Sequence, residues 1–428
     1  MKTNYLFKKA LLTVFFVFGV LSVGSVYAAD PAVVVDGIAY NVVDGAAEVA
    51  ALPDGTTKYT GTLTIPANVT INGTSYAVNK IGDNSLRDAP ALTAVVIPEG
   101  LKTVGNSAFA SCTGITSIVL PASVDSIADW AFYGCTNLAS INIPDGITTI
   151  TGHLFQGSGL TSITLPASVK SIKVCGFQDA HQLASINLEN ITQIENWVFY
   201  ATAITSVNVS NVFSIGGDTF QNCPNLQSVV LRNVSDIGSW CFSGCPKLSS
   251  VDLGTAVESL ETGVFSGCPL LTTLTIPNTL VYIGDWALEK NGLTKVYVSW
   301  ADPTVPYFEA HAFGDDPNKP NMTWMVPAAL LDIYGPTWNG FPVAETDITG
   351  LKNVQLENTS AYYAEGNLNL KGFQGYAISI VSIDGRTIAH FAANELNNIK
   401  VPATLTSGIY LVNATKGNNR AVAKFIVR

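Results

Sequence analysis

The residue types able to do chemistry are few in this chain. Four histidines are the natural starting point for metal ligation or acid–base work. They are His153, His181, His311 and His390, far apart, and no two have the short spacing that puts a pair of imidazoles on one ion. His153 stands two residues before an apolar core position and His181 lies in a turn, so both read as surface or turn residues. Seven cysteines are present, but no Cys-x-x-Cys pairs with a second, and no Cys/His cluster suits zinc. There is no Gly-x-Ser-x-Gly, no His-Glu-x-x-His and no phosphate loop. Asp315-Asp316 with Asn318 and Asn321 offers hard oxygens for calcium, yet Pro317 and Pro320 break the EF-hand spacing and leave a solvated turn. Glycoside hydrolysis needs two carboxylates in one cleft, and the outward strand positions identified below hold Asp252 alone. The sequence therefore predicts no catalytic residue, no metal site and no cofactor.

The cysteines do share a spacing. Cys112, Cys135, Cys223, Cys245 and Cys268 each stand three residues after a Phe. That spacing belongs to a block of about 22 residues that recurs without a break from residue 63 to residue 321. Its first apolar position is Leu92, Ile115, Leu138, Leu160, Leu183, Ile204, Leu226, Leu248, Leu271 and Leu293. Inward-facing Val or Ile follows three residues on, and a second apolar residue two after that, which is a strand period. A Pro often ends the strand (Pro98, Pro121, Pro144, Pro166, Pro277). The second half of each block carries Ile127, Ile150, Ile172 and their equivalents, with Phe132, Phe155 and Phe177 five residues later. One block cannot bury such a Phe, whereas stacked blocks can, and each ring removes about 150–250 Å² from water. The period predicts a solenoid whose core is a column of Phe. Equivalent cysteines on stacked blocks have parallel Cβ vectors, poor geometry for a disulfide, so the column is expected as buried free thiols acting as small apolar groups. Cys175 and Cys241 fall outside it.

Ile115 to Asn137, ITSIVLPASVDSIADWAFYGCTN, and its neighbours resemble the BspA-like leucine-rich repeats of bacterial surface proteins. Leu63 to Leu86 has the insertion found in the opening repeat of that family. Met322 to Phe341 resembles its closing cap, a short helix after Val326-Pro327 ending on Trp338 and Phe341. The resemblance implies a non-catalytic surface protein whose partners are of the class of host matrix proteins and other bacteria.

Near Glu345 the period changes to short alternating strands around Leu368, Ile378, Ile399, Ile409 and Phe425. Asp384-Gly385 and Lys416-Gly417-Asn418-Asn419 are turn signals between them. About 80 residues of this kind suggest a small Ig-like β-sandwich. Ser379 to Ile388, the Gly408 to Val412 stretch and the basic end Ala423 to Arg428 resemble the C-terminal sorting domain of the Bacteroidetes type IX secretion system. The resemblance makes Asp384, Gly385, Gly408, Tyr410, Lys424 and Arg428 the residues carrying the sorting signal, and the outer-membrane export machinery their partner. The family's opening Pro-Asn element is missing; Ala361 to Asn367 stands in its place. An accessory sandwich with no role in export thus stays open as the alternative.

At the other end, Lys2, Lys8 and Lys9, an apolar run from Leu11 to Val23, and Val26-Tyr27-Ala28 read as a secretory signal cut before Ala29. No other stretch is apolar enough to span a membrane. The chain carries a net charge of −10, concentrated in residues 29–345, which repels phosphate backbones and argues against nucleic acid. The sequence thus predicts a mainly β protein: signal peptide 1–28, N-terminal cap 29–62, leucine-rich repeat solenoid 63–321, closing cap 322–345, and β-sandwich 346–428. It is expected outside the cell, on the surface or the exterior of the outer membrane.

Solenoids commonly bind on the outward face of their strands. There the residues form a ladder of small hydroxyls and amides, of which Ser140, Asn142, Ser162, Thr164, Ser185, Asn187, Ser206 and Asn208 are the candidate binding residues. Tyr297 and Trp300 are the aromatic pair expected on that face. The expected function is adhesion or protein–protein interaction. Glycan capture is the alternative, with weak support from so few aromatics.

Overall fold

The computed structural model describes residues 32–53, 55, 58–209, 211–314 and 321–346, together with seven strands between Ser360 and Val427. The expected signal peptide, the Asp315-Asp316-Asn318 turn, the segment 347–359, Asp384-Gly385, Gly417-Asn418 and Arg428 lie outside the described residues. The chain forms two compact units, one ending at Asn187 and the other beginning at Leu188.

In the first unit the chain opens with an antiparallel meander, Val33–Val35, Ile38–Val43 and Ala46–Ala50. Its tight turns are Asp36-Gly37 and Asp44-Gly45, each with two residues at positive φ. Asp-Gly suits this turn because neither residue is heavily penalised there, and its twist matches that of the strands. Ala46–Ala50 then pairs in parallel with Thr74–Ile81, which pairs with Thr103–Val104, which pairs with Ser126–Ile127. The opening meander thus covers the end of a parallel ladder that would otherwise expose an unpaired edge. Tyr59 fastens it: its hydroxyl donates to Ala50 O at 2.8 Å and accepts from Ala39 N at 2.9 Å.

Each coil contributes two very short strands. The first was expected; Ser117–Ile118 pairs with Ser140–Ile141, and Ser162–Ile163 with Ser185–Ile186, all parallel. The second, such as Thr149–Ile150 pairing with Ser171–Ile172, was not read as a strand. Two residues are too short to show a period of two, and only stacking on the next coil makes them a strand.

Parallel pairing sets the coil spacing at about 4.8 Å, close to the spacing at which offset aromatic rings stack. Phe109, Phe132, Phe155 and Phe177 follow one another at centroid distances of 5.2, 5.7 and 5.4 Å, all fully buried. Inside the second unit Phe199, Phe220, Phe242 and Phe265 repeat the arrangement at 5.2, 5.4 and 5.6 Å.

All seven cysteines are buried free thiols. The column does more than fill space. Cys135 Sγ donates to Phe109 O at 3.1 Å, Cys223 to Phe199 O at 3.2 Å, and Cys268 to Phe242 O at 3.2 Å. Each thiol adds a donor to the carbonyl of a core residue one coil back, beside the backbone N–H that Phe109 O and Phe199 O already accept. Thr202 takes this position in another coil and turns its hydroxyl to Phe199 O at 2.9 Å.

The second unit continues with parallel ladders, Ser206–Asn208, Ser228–Val230 and Ser250–Asp252 in one, Thr273–Thr275, Lys295–Tyr297 and Thr323–Val326 in another. The repeats end on the expected short helical turn, Ala328–Leu330 and Leu331–Tyr334. Beneath it Trp324 is fully buried, 4.7 Å from Trp338, with Phe308, Phe313 and Phe341 edge-on around it. Of the C-terminal strands, Ser360–Ala364, Asn367–Lys371 and Asn398–Lys400 form one antiparallel sheet. Thr387–Ala392, Ala377–Ser382, Gly408–Lys416 and Asn419–Val427 form another. Among the described residues helix is confined to the few of the closing turn, and the fold is mainly β.

Replacing Phe177 by Ala should destabilise the protein by about 3–5 kcal/mol, measured by guanidinium unfolding; a loss below about 1 kcal/mol would contradict the stacked column. The thiols add a pH dependence. Burial pushes Cys112 and Cys223 from 9.0 up to about 11, and Cys268 to about 12. Above pH 9 the unfolded chain has released protons that the folded chain keeps, so stability falls as pH rises. Stability should be fully present below about pH 9 and decline as the pH rises through about 11, read as a falling denaturant midpoint.

Candidate functional site

The outward strand face of the first unit is flat and polar. Parallel pairing puts Ser117 beside Ser140 and Ser162 beside Ser185, one coil spacing apart, with all four side chains exposed. Thr164 is exposed next to Ser162. The two amides of this face are already engaged. Asn142 Nδ2 donates to Leu120 O and its Oδ1 accepts from Leu120 N, both at 2.8 Å. Asn187 clasps Leu165 in the same way, at 2.8 and 2.7 Å. Each therefore replaces a strand-like pair of hydrogen bonds just where the ladder would lapse. They are structural clamps, and their polar groups face the neighbouring coil. What the face adds toward a partner is apolar: Val96 is 52% exposed and Val119, at the same position one coil on, 75%.

In the second unit Ser206 pairs with Ser228 and Ser228 with Ser250, while Asn208 lies beside Val230 and Val230 beside Asp252. Ser206 and Asn208 are exposed. Asp252 is in reach of Arg232, Nε to Oδ2 at 3.7 Å. Tyr297 is half-buried on Lys295–Tyr297. Trp300 corrects the sequence reading. It is 3% exposed, its Nε1–H donates to Leu280 O at 2.9 Å, and its carbonyl accepts from the Tyr334 hydroxyl at 3.0 Å. The strand ends at Tyr297, and beyond it the chain turns inward, so a large ring gains more by packing with Trp338 in the closing cap than by standing in water.

A second edge of the coils was missed. Three residues after each second-strand Ile the chain adopts left-handed backbone. Trp130 stands there at φ 62° in the first unit, and Trp197, Trp240 and Trp286 at φ 56°, 60° and 57° in the second. A bulky residue in this conformation costs about 1–2 kcal/mol relative to Gly, and Gly263 shows the residue the backbone would prefer. The signal was legible: Asp129-Trp130-Ala131-Phe132, Asn196-Trp197-Val198-Phe199, Ser239-Trp240-Cys241-Phe242 and Asp285-Trp286-Ala287-Leu288 all set Trp two before the core column. Trp130 stacks on His153 with centroids 3.7 Å apart and planes 9° apart, and His153 Nδ1 is held by Gln156 Oε1 at 2.7 Å. In the second unit Trp240 and Trp286 stack at 6.3 Å, and a Cβ on Gly263 would run into the Trp240 ring. Trp286 stacks on His311, whose Nδ1 lies 3.3 Å from Asp285. Two of the four histidines thus belong to aromatic stacks.

Among the described residues no cluster of His, Cys, Asp and Glu could hold a metal ion, and no helix is long and apolar enough to cross a membrane. Of the sorting residues, Gly408 and Tyr410 lie on Gly408–Lys416 and Lys424 on Asn419–Val427, in one antiparallel pair where Tyr410 is opposite Phe425 and Lys424 opposite Leu411.

The family model of the BspA type leucine rich repeat region matches residues 102–227 and 192–318, together just over half of the chain. That of the secretion system C-terminal sorting domain matches residues 364–428. No curated protein matches the chain in sequence. Similar solved structures include a leucine-rich repeat protein from Bacteroides ovatus, 19% identical, covering 73% of this chain and 99% of that one with a TM-score of 0.46. A leucine rich cell surface protein from Faecalibacterium prausnitzii is 21% identical, covering 69% and 94%, with a TM-score of 0.40. The pneumococcal vaccine antigen PcpA is 16% identical, covering 74% and 99%, with a TM-score of 0.45.

The clamp and the hydroxyl ladder should separate on mutation. Asn142→Ala removes two hydrogen bonds and should destabilise by about 1–2 kcal/mol, whereas Ser162→Ala should stay within about 0.5 kcal/mol. Denaturant unfolding of both variants checks this; equal losses would mean that the Ser column also holds the coils together.

Proposed function

We propose, for a chain that belongs to the BspA-type leucine-rich repeat family, a non-catalytic role in adhesion, in which the outward strand face binds an extended extracellular protein. The chain is a secreted or cell-surface protein, in keeping with its repeat family and its C-terminal sorting domain. In this reading the export machinery recognises the C-terminal domain through Gly408, Tyr410 and Lys424, with Asp384, Gly385 and Arg428, and the repeats are the cargo that acts outside. Host matrix proteins and the surfaces of other bacteria are the partners to test.

The observation that carries the reading is the pair Val96 and Val119. Apolar side chains 52% and 75% exposed at the same position of successive coils, beside a row of small hydroxyls, make a shallow surface with an apolar centre and a polar surround. That is the anatomy of a protein interface, and a flat face suits a partner that lies across several coils. Glycan capture on the same face has lost its best support, since Trp300 is inside the cap.

Full-length protein should bind immobilised matrix proteins or whole bacterial cells. Val119→Asp with Thr164→Asp should weaken that binding by about tenfold or more, because a charge at a desolvated contact costs at least about 1.4 kcal/mol. Binding to neither class of partner, or binding untouched by the double substitution, would overturn this assignment.

A further inference from the structure

We propose that the turn edge of the first unit carries a second binding site, distinct from the strand face, which takes a neutral pyranose sugar of a glycan against Trp130. Arg87, Asn106, Ser107, Ala110, Trp130 and Tyr133 line a groove of about 380 Å³ there. That volume is within the usual range of about 300–1,000 Å³ for small-ligand sites.

The groove is built around a ring held at a cost. Trp130 sits at φ 62°, a backbone state that Gly adopts freely and a large side chain does not. The repeat turn imposes this backbone state on every coil, Ser107 and His153 included, and what is particular here is the large ring that Trp130 holds in it. Here the surroundings fix the ring from one side. His153 covers one of its faces at 3.7 Å, and Gln156 fixes the imidazole in turn. The remaining surface of Trp130 lines the groove, with Tyr133 tilted 60° to it at 5.2 Å. One coil back the equivalent position is Ser107, small and buried, which leaves room in front of the indole. Two aromatic walls at an angle and a recess one coil deep form a corner, where a core-packing aromatic would leave no free surface.

The polar groups around the corner decide what fits. A pyranose has a face of C–H bonds, weakly positive, and a rim of hydroxyls. The C–H face suits the negative face of an indole. The rim suits donors and acceptors spaced around it. Ser107 Oγ donates to Asn106 Oδ1 at 2.9 Å, which turns the amide so that its nitrogen remains to donate. Arg87 brings N–H donors, but its charge is offset: Nε lies 3.4 Å from Asp88 Oδ2, and Nη1 donates to Asn84 Oδ1 at 3.3 Å. A compensated guanidinium in a chain of net charge −10 favours a neutral sugar over a sialic acid, a sulfated sugar or a phosphate. The second unit repeats the Trp position. Trp197, 41% exposed and at the same backbone angle, is not among the residues lining this groove, which makes it the internal control.

The test is titration of the full-length protein with a panel of neutral oligosaccharides, glucans, xylans, mannans and galactans of defined linkage, followed by tryptophan fluorescence and calorimetry. Wild type should bind at least one. Trp130→Ala should weaken it by about tenfold or more, Tyr133→Ala should weaken it as well, and Trp197→Ala should leave it unchanged. Circular dichroism of each variant separates loss of binding from loss of fold, and Trp130→Phe, which keeps a ring, should retain part of the affinity. The proposal is overturned if no saccharide of the panel binds, if binding survives both Trp130→Ala and Tyr133→Ala, or if only a proline-rich peptide occupies the corner. Adhesion through the strand face is scored by Val119 and Thr164 against proteins, so either assignment can fail without the other.

Discussion

Everything in this protein depends on the spacing between coils. Parallel pairing of two-residue strands holds successive coils about 4.8 Å apart, and that single distance suits the Phe column, whose centroids lie 5.2 to 5.7 Å apart in the first unit. A coil of 21 to 23 residues must return to the same phase each time, and it does so by burying one Phe and closing on the carbonyls of the coil before it. Where Thr202 takes the Cys place, its hydroxyl turns to the carbonyl of its own coil's Phe199, which the Cys223 thiol of the next coil also reaches, so a polar side chain in the core is itself hydrogen-bonded.

The same constraint sorts the surface into two kinds of face. On the strand side, side chains project at fixed intervals from a flat ladder, and small residues dominate because neighbours are one coil away. Asn142 and Asn187 show how much of the polarity there serves the solenoid itself, since both amides return to the backbone of the coil before. On the turn side the backbone must reverse within a few residues, and it uses left-handed angles to do so. Gly would satisfy that requirement in every coil, as Gly263 does in one. Four coils use Trp instead, accepting strain to hold large rings at the edge, and the stacks Trp130–His153 and Trp240–Trp286 are the outcome. A rigid scaffold that also carries strained aromatics at its margin offers two different surfaces, one for broad contact and one for a small planar ligand.

A solenoid also has two ends, and each is closed by a different device. The opening meander covers the ladder edge with antiparallel strands and ties itself down through Tyr59. The closing cap gathers Trp300, Trp324, Trp338 and Phe341 beneath a short helical turn, so the last coil meets aromatic carbon where the others meet another coil. Terminal coverage of this kind keeps repeat arrays soluble and keeps their edges from pairing with other chains.

The sequence by itself determined the repeat, the buried column and the strand face, because each follows from a residue type recurring at a fixed interval: Phe132, Phe155 and Phe177, the Cys three places on, the Ser at each outward position. It also marked the change of period near Glu345 and the sorting-like end. It did not reveal the second strand of each coil, since Ser-Ile and Thr-Ile are strands only by virtue of the coils beside them. Nor did it place Trp300, whose ring belongs to the cap because the strand stops at Tyr297 and the chain folds inward. The function of an amide such as Asn142 and the backbone angle of Trp130 were likewise decided by tertiary structure. A periodic pattern records which face a residue occupies, whereas the partner it meets one coil away is set by stacking, and only stacking turned a row of tryptophans into a corner against His153 and Tyr133.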